Sequence, residues 1–306
     1  MAWIVLAIVV STAIGVWAEH RFTGDAGPGA RRALIVVLYA VLPPVTFFNL
    51  VGADLSGDAG AGIVLGLVSL ALLALLAWAI GDRLLGLERP STGALISCEL
   101  VVNTGYLGLA VVAALHGFDA LGEAVAYDIL VSSPALLLGA FAVGAAFGEK
   151  AGEGPRQRLI AFLTRNPPLY AAVAALLAPD SFAPELAVDA SRIAVIALLP
   201  LGFFAVGATL AEDAEEGRIG LPPRFDRPVA VAVALRLVAG PALLFALSAP
   251  LIELPETYLL LAAMPCGLNT MIVAHAYGLD LRIAAGAIAW STAIGVGGLC
   301  VLALSS

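Results

Sequence analysis

The hydrophobic positions of this chain gather into long runs, and most of the charged positions fall in the short stretches between them. Several runs reach the roughly 20 apolar residues that a helix needs to cross a bilayer. The pattern predicts ten membrane-spanning helices, at 2–18, 33–51, 61–80, 92–115, 123–147, 159–178, 188–210, 229–249, 257–276 and 282–304. Arg165 interrupts the sixth run, and Asn166-Pro167 reads as an N-cap followed by proline at the first helical position. The residues before it are expected to form a separate interfacial helix.

Two runs carry polar, glycine- or proline-bearing interruptions. These are Asn103-Thr104-Gly105-Tyr106-Leu107-Gly108 in the fourth and Met264-Pro265-Cys266-Gly267-Leu268-Asn269-Thr270 in the ninth. Glycine weakens a helix, and proline removes a donor and clashes with the preceding turn. In lipid, the freed backbone groups are tolerated only where protein or a water-filled cavity satisfies them. Interrupted helices at matching positions in two halves are the best sequence pointer to a transporter's binding site.

Composition strengthens the membrane reading. Of 306 residues, 61% are hydrophobic and 12% charged, against about 25% charged in soluble domains; the mean hydropathy is +1.01. The chain reads as a polytopic protein whose surroundings are the lipid bilayer. Its net charge of −8 says little about partners and gives no reason to expect nucleic acid. Cys98, Cys266 and Cys300 all fall in predicted spans, so no disulfide framework is implied. Met1-Ala2-Trp3 lacks the positive segment of a signal peptide, and the first run is read as a retained span.

Basic residues set the expected orientation. The odd-numbered loops hold Arg21, Arg31 and Arg32, then Arg83 and Arg89, then Lys150, Arg156, Arg158 and Arg165, then Arg218, Arg224 and Arg227. The even-numbered loops are nearly bare, with Arg192 standing at the start of a span. The odd loops are therefore expected in the cytoplasm and both termini outside. Five spans per half make the two halves inverted. An internal repeat supports this. Leu42-Pro43, Phe47-Phe48 and Val51-Gly52-Ala53-Asp54-Leu55 match Leu199-Pro200, Phe203-Phe204 and Val206-Gly207-Ala208-Thr209-Leu210. His116-Gly117-Phe118-Asp119 likewise matches Tyr277-Gly278-Leu279-Asp280. Residues 1–147 and 159–306 are the expected repeats, with 148–158 a cytoplasmic linker.

The chain resembles the auxin efflux carrier family, which includes plant auxin exporters and bacterial carriers of small organic acids. Asn103-Thr104-Gly105-Tyr106-Leu107-Gly108-Leu109 is similar to the family's N-T-x-F-L-G-L-P stretch, with Ala110 where proline often stands. Met264-Pro265-Cys266-Gly267 resembles its M-P-x-G/A break. Arg236-Leu237-Val238-Ala239-Gly240-Pro241-Ala242, Arg165-Asn166-Pro167 and Gly207-Ala208-Thr209-Leu210 are similar to further family motifs. The resemblance implies an all-α protein of ten spans as two inverted five-helix repeats, with broken helices four and nine crossing. It also implies a scaffold of spans 1, 2, 6 and 7 that forms a homodimer, and a transport domain of spans 3–5 and 8–10 that moves like an elevator. The expected location is a bacterial cytoplasmic membrane.

The second half of a broken helix starts with exposed N–H groups, and these with the helix dipole favour an anion. Here they fall near Tyr106–Leu109, Gly108 included, and near Gly267–Thr270; Thr104, Gly105, Pro265 and Cys266 flank them and are counted with the substrate site. Asn103, Thr104, Asn269 and Thr270 add neutral donors, which hold a carboxylate without locking it as arginine would. Asn49 and Thr46, in the proline-bearing second span, either border the pocket or satisfy backbone freed by Pro43-Pro44. Glu99, Asp128 and Arg236 fall inside spans, where a charge is costly and meets a partner or a cavity. Glu99 reads as a proton carrier or as a structural partner of Arg236; Asp128 is close enough to a span end to reach the outer interface. His116 and His275 end the broken helices and read as interfacial. No metal or nucleotide motif appears, no cofactor is implied, and the G-x-G-D signature of intramembrane aspartyl proteases is missing. The chain is read as a non-enzymatic secondary transporter of a small organic anion. The alternatives are a sodium-coupled carrier of the bile-acid-symporter type and a sensor on the same fold.

Overall fold

The computed structural model describes residues 2–22, 26–51, 57–149, 154–164 and 166–305, which are helical throughout except for turns and one isolated antiparallel bridge. Gly52-Ala53-Asp54-Leu55, Lys150 and Arg165 lie outside the described residues, as do the side chains of Arg31, Arg158 and Cys300. The helices are α1 (Ala2–Phe22), α2 (Ala26–Val36), α3 (Leu42–Leu50), α4 (Gly57–Ala79), α5 (Arg89–Leu100), α6 (Leu109–Leu115), α7 (Leu121–Tyr127) and α8 (Phe141–Phe147). They continue as α9 (Pro155–Thr164), α10 (Pro167–Leu177), α11 (Glu185–Glu215), α12 (Arg227–Ala234), α13 (Gly240–Ser248), α14 (Glu256–Ala262), α15 (Asn269–Tyr277) and α16 (Leu281–Ser305).

Several of these join into longer rods through wide π turns. Val37–Val41 links α2 to α3 just before Pro43-Pro44, and Leu235–Ala239 links α12 to α13 just before Pro241. A proline has no N–H to give the preceding turn, and widening the turn is one way a helix absorbs that loss. Seven rods among the described residues are long and apolar enough to cross a membrane: Trp3–Phe22, Ala26–Leu50, Gly57–Leu84, Phe118–Phe147, Glu185–Glu215, Arg227–Ser248 and Leu281–Gly298.

The other three predicted spans are divided, as their interruptions led us to expect. The fourth and ninth are each two short helices on either side of a break. The sixth divides at Asn166, whose side chain accepts from the Leu169 N–H and caps α10. The residues before it form α9, a separate helix as expected. With 11 residues, α10 is about 16 Å long, roughly half a hydrocarbon core. The second rod starts at Ala26 rather than 33, because Pro28 is tolerated in a first helical turn and Arg31 and Arg32 continue the helix.

Two groups of helices pack closely within themselves. In the first, α1 lies along α11 and α10 along α3. Glycines set the first contact: Gly15 rests on the Phe204 carbonyl and Gly207 on the Thr12 carbonyl, leaving no room for a Cβ on either. In the second group, α5 packs on α4, α8 and α16, and α13 on α4 and α14.

Polar contacts sort the turns into two ends. Arg192 pairs with Asp119 at 2.9 Å, His116 lies 3.7 Å from Glu256, and the Glu253 N–H donates to Asp58. At the other end His275 meets Asp213 at 2.9 Å, Arg218 pairs with Asp213, His20 meets Glu215, and Ser91 donates to Asp280. Burial pushes the half-buried Asp280 carboxyl up. Its hydrogen bonds from Arg282 and Ser91 outweigh burial and hold it below the usual carboxylate range.

Candidate functional site: two crossed helix breaks

The two interruptions meet. After Leu100 the chain turns extended at Val101, and Val102 pairs antiparallel with Cys266. The Asn103 N–H donates to the Pro265 carbonyl at 2.9 Å, and the Gly267 N–H donates to the Val101 carbonyl at 2.8 Å. A third freed donor, the Cys266 N–H, reaches Ser291 Oγ at 3.0 Å. Each break thus satisfies part of the other's backbone, as an apolar interior demands. Gly267 is needed here for closeness, since a Cβ would stand 3.1 Å from the Val102 oxygen.

Arg236 serves the ends of both first half-helices. It is 1% exposed and donates to the Glu99 carbonyl at 2.6 Å and the Ala262 carbonyl at 2.7 Å. A cation at two helix C-termini answers both their unpaired carbonyls and their dipoles. Glu99 therefore meets Arg236 through its backbone. Its carboxyl oxygens have no hydrogen-bond partner among the described residues, and no ion pair joins the two side chains there. Of the two readings left open for Glu99, the partnership with Arg236 is made here through the Glu99 carbonyl rather than through its carboxyl.

The second half-helices begin at a shared cavity of about 430 Å³, within the range of small-molecule sites. Thr104, Gly105 and Tyr106 line it on one side and Gly267, Leu268 and Asn269 on the other. The first N–H groups of a helix have no intrahelical acceptor. Asn103 also lines the cavity, and its Oδ1 accepts from the Leu107 N–H at 3.3 Å. The wall is otherwise mainly apolar, with Leu34, Leu42, Phe141, Leu198 and Ile272. Tyr106 is seated on Gly202 of α11, where a Cβ would lie 2.7 Å from the ring.

Other expected site residues stand elsewhere. Gly108 packs under Leu261, Pro265 spends its carbonyl on Asn103, and Cys266 faces Thr270 at 3.2 Å. These four, Gly108, Pro265, Cys266 and Thr270, lie outside the cavity lining. Asn49 donates to the Val45 carbonyl and to Ser191 Oγ at 2.9 Å, joining α3 to α11. Asn49 and the buried Thr46 do not reach the cavity, because the face of α3 that carries them turns into its packing. His275 is engaged with Asp213 across to α11, an interhelical contact that interfacial placement did not foresee.

Two placements were open for Asp128, a partner or cavity within the span and the outer interface; it lines the cavity, where Thr104 Oγ1 donates to its Oδ1. Ser132, Ser133 and Asn166 join the lining and were missed as site residues. The Ser132 hydroxyl and the Asn166 amide nitrogen are buried without a hydrogen-bond partner among the described residues. The Asn-Pro cap drew attention to Asn166, but capping uses only its oxygen. A second cavity of about 440 Å³ shares Leu34, Leu268 and Ile272 with the first and reaches Glu212, Arg218 and His275.

Residues 157–301 match a family of proteins described as membrane transport protein. The chain is also 24% identical over 268 residues to a protein of Methanocaldococcus jannaschii named as an uncharacterized transporter, covering 83% of this chain and 82% of that one. Both agree with the family resemblance carried by the sequence motifs.

Proposed function

We propose that this chain, whose residues 157–301 match a membrane transport family, is a secondary transporter of a small organic anion, with a carboxylate bound where the two breaks cross. The observation that carries this is the pair of half-helix starts facing one cavity. Their N–H groups and dipoles favour negative charge. The Asn103 and Asn269 amides, the Ser132 hydroxyl and the spare Asn166 donor add neutral partners at the same wall. The apolar lining suits the carbon skeleton of an organic acid better than an inorganic ion.

The protein crosses the membrane ten times in this reading, as inverted repeats 1–147 and 159–306. Two features support it. The turns sort alternately into two ends, so that the rods and broken helices run end to end. The packing also exchanges as a two-fold would require: α1 on α11 answers α10 on α3, and α5 on α16 answers α14 on α7. The first group of helices is the scaffold, through which the protein dimerises in a bacterial cytoplasmic membrane. The group carrying the breaks is the moving transport domain. The second cavity, with Arg218 at its wall, is the route from the site to the end where the basic loops lie.

A thermal-shift screen of the purified protein against mono- and dicarboxylates tests the reading, followed by counterflow of the best binder in proteoliposomes. Saturable stabilisation and counterflow by a carboxylate are expected. Neither effect with any carboxylate would overturn it.

A further inference from the structure

One acid in the cavity has no part in holding an anion. Asp128 stands on the wide turn Asp128–Ser132, and its Oδ1 accepts a hydrogen bond from the Thr104 hydroxyl. Its Oδ2 lies over Gly105, where a Cβ would stand 3.6 Å away. Asn103, Thr104 and Asn269 share its cavity. The turn packs against α4, α7, α10, the Thr104–Gly108 turn and the Ala135–Ala140 turn. From these, Tyr106 is the titratable group that feels the Asp128 charge. Elsewhere on them, Tyr127 of α7 packs its ring on Tyr258, Tyr170 of α10 donates to the Leu163 carbonyl, Asp58 of α4 accepts from Glu253, and Glu123 of α7 accepts from Thr257. No Lys, Arg or His among the described side chains lines this cavity; Arg218, Glu212 and His275 line the adjoining one.

A carboxylate held at the crossing therefore shares a small, mainly apolar space with a second carboxylate. Two such groups do not both stay ionised at close range; they titrate as a pair that keeps one proton. We infer that Asp128 takes up one proton with each carboxylate bound, which makes the crossing a proton–carboxylate symport site. This rests on the carboxylate reading above. The proton comes from water and joins an Asp128 oxygen, while Thr104 continues to donate to Oδ1. No other bond forms or breaks, and release of the acid returns the proton to the side on which the cavity then opens.

Calorimetric titration of the purified full chain with benzoate, in buffers of different ionisation heat, counts the protons. At alkaline pH, where the free carboxyl has lost its proton, uptake of close to one proton per benzoate is expected and affinity should fall about tenfold per pH unit; both effects fade together as the pH is lowered, so the count is taken at the alkaline end. Asp128→Asn should bind benzoate with no proton uptake and a flat pH profile. Binding by the wild-type protein without proton uptake overturns the inference and leaves the carboxylate reading standing; this result needs no variant to fold. Tighter binding of phenylalanine than of phenylacetate, lost in Asp128→Asn, also overturns it, by giving Asp128 an ammonium to hold. If no mono- or dicarboxylate of the thermal-shift screen binds at any pH, benzoate, phenylacetate and hexanoate included, the carboxylate reading falls and the coupling falls with it.

Discussion

Replacing Arg236 with methionine keeps the length and apolar stem of the side chain and removes its donors. The guanidinium is buried and makes two short hydrogen bonds, to the Glu99 carbonyl at 2.6 Å and the Ala262 carbonyl at 2.7 Å. Hydrogen bonds to a charged group contribute about 1.5–3 kcal/mol each. Two of them set the expected loss at about 3–6 kcal/mol, since the abandoned carbonyls sit in a dry interior at two helix ends. Arg236→Lys keeps the charge at the two helix C-termini but loses the fork, and should retain about half of the stability. Glu99→Gln should cost far less than Arg236→Met, because the Glu99 carboxyl oxygens have no hydrogen-bond partner among the described residues. Denaturant unfolding in detergent micelles, followed by tryptophan fluorescence, reads these differences. Unfolding of Arg236→Met at the wild-type midpoint would refute the capping role. Strong coupling between Glu99→Gln and Arg236→Met in a double-mutant cycle would restore the side-chain ion pair in its place.

Two further outcomes are expected. Gly202→Ala should place a methyl against the Tyr106 ring, where the ideal Cβ lies 2.7 Å from it; overpacking of this kind costs about 1–3 kcal/mol. Tyr106→Ala in the same chain should recover part of that loss in the unfolding midpoint, and simple additivity would argue against the contact. For Asp280, hydrogen bonds from Arg282 and Ser91 depress the carboxyl below its usual range despite burial. A depressed acid stabilises the fold at pH values above its unfolded pKa of about 3.9 and loses that contribution as pH falls through the folded value. The stability gap between wild type and Asp280→Asn should therefore be constant near neutrality and close below about pH 4; a gap that persists in acid would contradict this.

The breaks were legible in the sequence because they violate local chemistry. Asn103-Thr104-Gly105 and Met264-Pro265-Cys266-Gly267 put polar and helix-weakening residues where a lipid-facing helix would carry leucine or valine. Their crossing was legible only through the repeat, since nothing local to either stretch says that Val102 will pair with Cys266. The role of Arg236 was half legible. A buried cation demands partners, but the partners are backbone carbonyls, which every residue carries and no side chain announces. The sequence left Asp128 between a cavity and the outer interface, because its distance from a span end says how deep it sits and not which way it faces. Its direction is fixed by the wide turn Asp128–Ser132 and by Thr104, from a different helix. Asn49 was open between the pocket and a backbone partner; its amide goes to the Val45 carbonyl and to Ser191 on α11, which no local pattern announces. The sixth run was long enough in hydropathy, but Asn166 and the prolines after it restart the helix and leave α10 short.

The most direct test of the crossing as a carboxylate site is equilibrium binding of the acid that gives the largest thermal shift, to wild-type protein, Asn103→Ala and Asn103→Asp. The Asn103 amide lines the cavity while its oxygen caps the turn at Leu107. Removing the amide should weaken binding by about 1–3 kcal/mol, roughly five- to 150-fold, if it bonds a charged oxygen. Asn103→Asp keeps an acceptor for Leu107, so the turn should hold, and its added negative charge should weaken binding at least as much. Unchanged affinity in both variants, with wild-type unfolding midpoints, would move the site away from the crossing and contradict the proposed mechanism.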